Sequence, residues 1–216
     1  MKYQLAIFDL DGTILYTLQD LTNSTNYALR KSGCPERTLD EVRRFVGNGI
    51  LNLIRRAVPE NSSEELINIV FEDFKAHYKE NCAVTTRAYD GIEELISHLR
   101  EMGMKTAVVS NKADFAVQEL CEKYFRGLFD TCVGERKNVK RKPSPDSVNE
   151  ILSLLAVKRE NAVYIGDSDV DIKTANNAGI DCISVSWGFR DTKLLQENGA
   201  KIIVDNMQEL YNAIVN

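Results

Sequence analysis

Six short apolar runs, each closed by turn or acidic residues, fix most of what this chain can become. They lie at Gln4 to Leu10, Lys105 to Ser110, Thr131 to Gly134, Ala162 to Asp167, Cys182 to Trp187 and Lys201 to Asp205. Most are apolar continuously rather than alternately, the pattern of strands covered on both faces and hence of a parallel sheet. Helical spacing fills the intervals: Ile92, Leu95, Ile96 and Leu99 share one face, and Val148, Ile151, Leu152 and Leu155 another, with Pro145 suited to a first turn. Strand alternating with helix implies crossover connections and an α/β fold, a doubly wound, mainly parallel Rossmann-like sheet.

Residues 15–86 break the rhythm, with no convincing strand and at least three helical patterns. Leu21, Thr25, Ala28 and Leu29 lead to Gly33; Leu51, Ile54, Arg55 and Val58 lead to Pro59; Leu66, Ile69, Val70, Phe74 and Tyr78 follow a cap at Ser63. The expected organisation is an all-α cap domain over 15–86, inserted into a core made of 1–14 and 87–216.

At 216 residues with 44% apolar and 27% charged side chains, the chain has the composition of a globular protein. No apolar run approaches the roughly 20 residues that span a bilayer, and the opening MKYQLAIFDLDG lacks the form of a secretory signal. No membrane association is therefore expected. The formal charge of −5 opposes nonspecific nucleic-acid binding, so no nucleic-acid partner is expected either. Five widely spaced cysteines without a CxxC pair read as reduced thiols, which fits the cytoplasm.

The chemistry-bearing residues fall at the ends of the apolar runs. Asp9 and Asp11 close the first, followed by Gly12 and Thr13, whose backbone suits an anion. Acids ending an apolar run need a positive partner, and a divalent cation supplies one. Asp167, Asp169 and Asp171 follow the fourth run, where a helix begins; acids there are also favourable simply through the helix dipole. Magnesium takes one or two carboxylates plus water and phosphate, so Asp9 and Asp167 are the expected pair over the sheet edge. Ser110 and Asn111 end the second run, and Lys142 precedes Pro143; a hydroxyl and an ammonium suit phosphoryl oxygens, although each residue alone also reads as an ordinary turn or solvated loop.

In that order, Asp9-Leu10-Asp11-Gly12-Thr13, Ser110-Asn111, Lys142 before Pro143-Ser144-Pro145, and Gly166-Asp167-Ser168 with Asp171 resemble the motifs of the haloacid dehalogenase superfamily with a helical, C1-type cap. The resemblance implies a phosphatase in which Asp9 is the nucleophile, Asp11 the general acid and base, and Ser110 and Lys142 holders of the phosphoryl group, with Gly12 and Asn111 beside it. It implies Mg2+ on Asp9, the Asp11 carbonyl and Asp167, supported by Asp171. Asp11 argues against a dehalogenase, whose leaving halide needs no proton.

The Phe45-Val46-Gly47-Asn48-Gly49, Ser186-Trp187-Gly188 and Ile203-Val204-Asp205 segments are similar to those of phosphoglycolate phosphatases, which makes 2-phosphoglycolate the first candidate among small phosphorylated metabolites. Tyr16, Arg44, Asn48 and Arg55 are the cap residues expected to influence specificity; Tyr16 stands where relatives often carry Asp or Asn, and either lines the cleft or packs between cap and core. A β-phosphoglucomutase-like transferase, a pyrophosphatase or nucleotidase of the same family, and a phospho-accepting receiver or binding protein are the alternatives. A monomer or homodimer is expected.

Overall fold

The computed structural model describes residues 1–216 and divides them into two compact units, 1–15 with 88–216, and 16–87. The first unit is built on six strands: β1 (Leu5–Phe8), β4 (Lys105–Ala113), β5 (Thr131–Glu135), β6 (Ala162–Gly166), β7 (Asp181–Val185) and β8 (Ile203–Val204). They form one sheet in the order β5-β4-β1-β6-β7-β8, and each neighbouring pair is parallel. The expected sheet is therefore present, parallel throughout. All four residues of β1 are buried, as a central strand covered on both faces requires.

Side chains of β1 alternate between the two faces. Leu5 and Ile7 join the cluster containing Val148, Ile151 and Leu152 of α7 (Asp146–Leu154) and Ala175 and Ala178 of α8 (Asp169–Ala178). Phe8 instead meets Phe129 edge to face, ring centroids 6.1 Å apart. Of the remaining helices in this unit, α5 (Ile92–Glu101), whose Ile92, Leu95, Ile96 and Leu99 are all buried, and α6 (Asp114–Tyr124) pack on β4, while α10 (Met207–Val215) packs on α5, β7 and β8 and α9 (Thr192–Glu197) precedes β8. Burying a Leu, Ile or Phe side chain contributes about 1.5–3 kcal/mol, so these apolar faces hold the layers together. Pro145 stands one residue before α7, at its N-cap, rather than inside the first turn.

The chain passes from β1 to β4 on one side and, after β5, returns to β6 on the other. Such a reversal leaves a crevice at the carboxyl ends of the strands, where open α/β sheets bind ligands. Register decides what faces it. Phe8 is level with Val108 and with Ile165, so Asp9, Ser110 and Asp167, one or two positions further along, emerge at the same edge.

The second unit is helical: α1 (Leu18–Lys31), α2 (Leu39–Phe45), α3 (Ile50–Ala57) and α4 (Glu64–Asn81). Two faces differ from expectation. In α4 the buried side chains are Ile67, Val70, Phe74 and Tyr78, and Ile69 is half exposed; in α3 they are Leu53, Ile54 and Ala57, and Arg55 faces solvent. The short α2, which no periodicity announces, is held by a capping box between Thr38 and Glu41. At the two ends of the helical segment lie two-residue strands, β2 (Leu15–Tyr16) and β3 (Arg87–Ala88), paired with each other. Behind β2, the buried Asp20 carboxylate accepts from the N–H and hydroxyl groups of both Thr85 and Thr86, at 2.6 to 3.1 Å. Burial pushes the Asp20 carboxyl up, but those donors outweigh it and leave it below the usual carboxylate range.

Candidate active site

The segment after β1 folds back at once. Thr13, Ile14 and Leu15 donate backbone N–H bonds to the Leu10 carbonyl, and Gly12 N–H reaches the Leu15 carbonyl at 2.9 Å. Gly12 is required there on two counts: its φ of +85° is left-handed, and a Cβ would overlap the Asp167 carboxylate. Gly188 is hemmed in likewise by the Asp167 side chain. The two glycines leave space for one carboxylate and nothing larger.

Asp9 continues the β1–β6 ladder with an N–H bond to the Ile165 carbonyl. Its Oδ1 accepts from Leu10 N–H at 2.7 Å and from Lys142 Nζ at 2.8 Å. Lys142 arrives on the loop between β5 and α7, buried, and its ammonium also reaches Asp171 Oδ1 at 2.7 Å and the Tyr164 hydroxyl at 3.0 Å. Asp171, in the first turn of α8, accepts from the Ser168 N–H and hydroxyl through Oδ2, so both its oxygens are engaged by the protein. Asp167 Oδ2 accepts from Phe189 N–H at 2.6 Å, and Oδ1 weakly from Thr13 Oγ1 at 3.3 Å. Asn111 donates to the Lys142 carbonyl at 3.0 Å, tying the lysine loop to β4, and the Ser110 hydroxyl accepts from Lys112 N–H.

Carboxylate oxygens of Asp9, Asp167 and Asp171 lie within 4.8 Å of one another. Three buried carboxylates thus cluster where the Lys142 ammonium contacts two of them and the Arg190 charge acts on Asp167. Burial pushes Asp9 up to about 8, with Lys142 opposing and Asp171 and Asp167 adding to it; burial and Asp171 push Asp167 up to about 7. Burial opposes the charge on Lys142, yet Asp171 and Asp9 hold it well above its ordinary value. A site of hard oxygen donors with surplus negative charge fits a hard divalent cation. Asp9 Oδ2 and Asp167 Oδ1, the latter held only by the long Thr13 contact, are the oxygens best placed to be offered to it, and Asp171, with both oxygens at 3.0 Å or less from protein donors, orients Lys142.

That charge surplus predicts a pH dependence. Below 3.8 both folded and unfolded chains hold the Asp9 and Asp167 protons. Between there and about 7 to 8 the folded chain binds more protons than the unfolded one, so stability falls as pH rises. At one fixed concentration, magnesium is expected to raise Tm more at about pH 8 than at about pH 5, the stabilisation reaching about 2.7 kcal/mol where that concentration is one hundred times Kd. Equal shifts at both pH values, by calorimetry with and without chelator, would exclude these acids as the binding site.

Two residues at this edge escaped the sequence reading. Tyr164, which looks like a core aromatic, donates its hydroxyl to the Val109 carbonyl and uses the same oxygen to accept from Lys142. Lys112, next to Asn111, is buried and reaches both oxygens of Asp11, at 2.9 and 3.3 Å. The basic run 136–142 divides: Arg136 pairs with Glu150 and Arg141 with Glu135, and of the five only Lys142 enters the acid cluster. Within the helical unit, Arg44 is exposed in the last turn of α2, the Asn48 carbonyl caps the Asn52 side chain, Arg55 forms an exposed ion pair with Glu64, and the Arg87 guanidinium lies 4.5 Å over the Tyr16 ring.

An acid-lined crevice at the switch point of a parallel sheet, with a buried lysine on the leading carboxylate, suits metal-assisted chemistry on a phosphoryl group. Residues 6–185 match the family described as haloacid dehalogenase-like hydrolase, and the chain belongs to that family. It is a phosphatase of that family. It is 32% identical to the phosphoglycolate phosphatase of Aquifex aeolicus, over 86% of each chain. A crystal structure of a candidate phosphoglycolate phosphatase from Lactobacillus delbrueckii subsp. bulgaricus superposes with a TM-score of 0.94 at 40% identity, covering 99% of both chains. CbbY from Rhodobacter sphaeroides, solved in complex with phosphate, is similar at 25% identity and a TM-score of 0.76, over 96% of both chains. No helix is long and apolar enough to cross a membrane.

Proposed function

We propose that this chain is a magnesium-dependent phosphomonoesterase that works through an aspartyl phosphate on Asp9 and takes 2-phosphoglycolate as its substrate. The observation that carries the reading is the contact of Lys142 with Asp9 at the carboxyl edge of β1, inside a cluster that also holds Asp167 and Asp171.

In the first step an Asp9 oxygen attacks phosphorus, the ester P–O bond breaks, and the departing alkoxide takes a proton from Asp11. In the second, water gives a proton to Asp11 and attacks the same phosphorus; the acyl P–O bond breaks, freeing inorganic phosphate and the Asp9 carboxylate. Lys142 and the Ser110 hydroxyl hold the non-bridging oxygens, where charge develops. Lys142 also opposes the burial that pushes the Asp9 carboxyl up, and so favours its ionised, nucleophilic form. Asp9, Asp167 and the Asp11 carbonyl would hold magnesium, which when bound would supply charge neutralisation for the phosphoryl group. The five free cysteines support a reducing, cytoplasmic setting.

The substrate rests on the relatives, and the helical unit, with Arg44 and Asn48 among its candidates, is assigned its selection. Phosphate release ranked by kcat/KM is expected to favour 2-phosphoglycolate by tenfold or more, about 1.4 kcal/mol, over pyrophosphate, nucleoside monophosphates and β-glucose 1-phosphate. Flat activity across that panel would remove 2-phosphoglycolate while leaving the chemistry; isomerisation of β-glucose 1-phosphate would replace hydrolysis with phosphoryl return to a sugar.

A further inference from the structure

Lys112 is the charged side chain in this centre to which the chemistry above gives no task. Its side chain is 2% exposed, and an ammonium so buried is costly unless paired. The partner is Asp11, and both carboxylate oxygens are engaged, at 2.9 and 3.3 Å. Contact to both oxygens fixes the plane of the carboxyl as well as its position.

The backbone is arranged for this contact. The β4–β5 register shifts between Val109 and Ala113, so Ser110, Asn111 and Lys112 occupy an irregular stretch; irregularities of this kind re-aim side chains beside active sites. On the neighbouring strand Gly134 approaches so closely that a Cβ would overlap the Lys112 carbonyl and the Asp114 backbone, which fixes the lysine's main chain. Lys112 N–H is held by the Ser110 hydroxyl at 3.2 Å. One bent strand end thus carries both a phosphoryl-binding hydroxyl and the lysine that meets Asp11.

We propose that Lys112 is a positioning residue for Asp11, aiming the carboxyl that delivers the proton to the leaving oxygen. This rests on the assignment of Asp11 as the general acid. A purely structural ion pair would predict the same loss for every substrate. A positioning role predicts dependence on the leaving group, because an alkoxide needs the proton and a nitrophenolate does not.

The test compares the best-used alkyl phosphate, 2-phosphoglycolate in the first instance, with p-nitrophenyl phosphate in the wild type, Lys112→Met, Lys112→Arg, Asp11→Asn and the Asp11→Asn/Lys112→Met double variant. In Lys112→Met, kcat/KM for the alkyl ester is expected to fall about 100-fold, the size of effect a misaimed group produces, while the value for the aryl ester stays within about threefold. Lys112→Arg, which keeps the charge, recovers part of the loss and reports should the Met variant not fold. Adding Lys112→Met to Asp11→Asn costs nothing further, since the two act as one unit. Equal losses for both esters in Lys112→Met, with the split still present in Asp11→Asn, would overturn the role of Lys112 alone. Full alkyl-ester turnover by Asp11→Asn would overturn both the acid assignment and this inference.

Discussion

The Asp9→Asn protein is expected to fold, to lose at least about 10,000-fold in kcat on every phosphate ester, and to form no phosphoprotein. Effects of this size follow removal of a nucleophile in enzymes whose catalysis is covalent. An amide nitrogen and oxygen cannot stand in for the carboxylate, and the Lys142 contact that holds Oδ1 at 2.8 Å does not make an amide nucleophilic. The fold should tolerate the change. Asp9 is one of three clustered buried acids, and burial already pushes its carboxyl up to about 8; a neutral amide of the same shape removes that conflict. Metal-free Tm at neutral pH should equal or exceed that of wild type, while magnesium stabilises the variant less. Phosphate release, mass spectrometry of acid-quenched enzyme and calorimetry supply the three readings. Retained turnover, with deamidation excluded by mass, would remove Asp9 from the chemistry.

How much of this was legible in the sequence depended on how far each signal reached along the chain. The central sheet strands announce themselves because a strand buried on both faces has to be apolar at every position, as Leu5–Phe8 is. The helical unit was harder. In α4, Leu66-Ile69-Val70 and Ile67-Val70-Phe74 both satisfy helical spacing, and packing against α1 selects the second. In α2, one buried residue, Val42, sets no period, and only the Thr38 to Glu41 capping box marks its start. Two-residue strands such as Leu15–Tyr16 are too short to alternate visibly.

At the crevice, Asp9, Ser110, Lys142 and Asp167 end runs or sit beside prolines, and their joint order makes them candidates although Ser110 and Lys142 taken singly do not stand out. Nothing marks Lys112 and Tyr164: a lysine after a strand reads as solvated, and a tyrosine within one reads as core. Only the shifted β4–β5 register and the meeting of Tyr164 with Lys142 reveal their partners.

Lys142→Met should be damaging in two separable ways. Each of the three ammonium N–H groups has an acceptor in Asp9, Asp171 or Tyr164, at 2.7 to 3.0 Å, and the side chain is 3% exposed. Methionine nearly matches the volume but leaves the buried Asp9 and Asp171 carboxylates without the ammonium that contacts both. Breaking a buried pair by removing one partner costs about 3–5 kcal/mol, which for a chain of this size is about 10 °C in the Tm of the unit that carries it. The deficit depends on pH in a defined direction. Without the lysine, which holds both acids down, Asp9 and Asp167 titrate higher than in the wild type, so the deficit keeps growing as pH rises past about 8 and shrinks as pH falls and they take up protons. Because magnesium brings positive charge to the same acids, it should stabilise Lys142→Met more than wild type, the reverse of its effect on Asp9→Asn. Activity should not return with stability. Metal charge restores the fold of the acid cluster but not the donor on the phosphoryl oxygens, whose loss costs about 100- to 1,000-fold. Lys142→Arg provides the control for geometry, since its planar fork keeps the charge and loses the tetrahedral contacts. If Lys142→Met melted like wild type in chelator and gained no more from magnesium, the lysine would not be the cation that balances these acids.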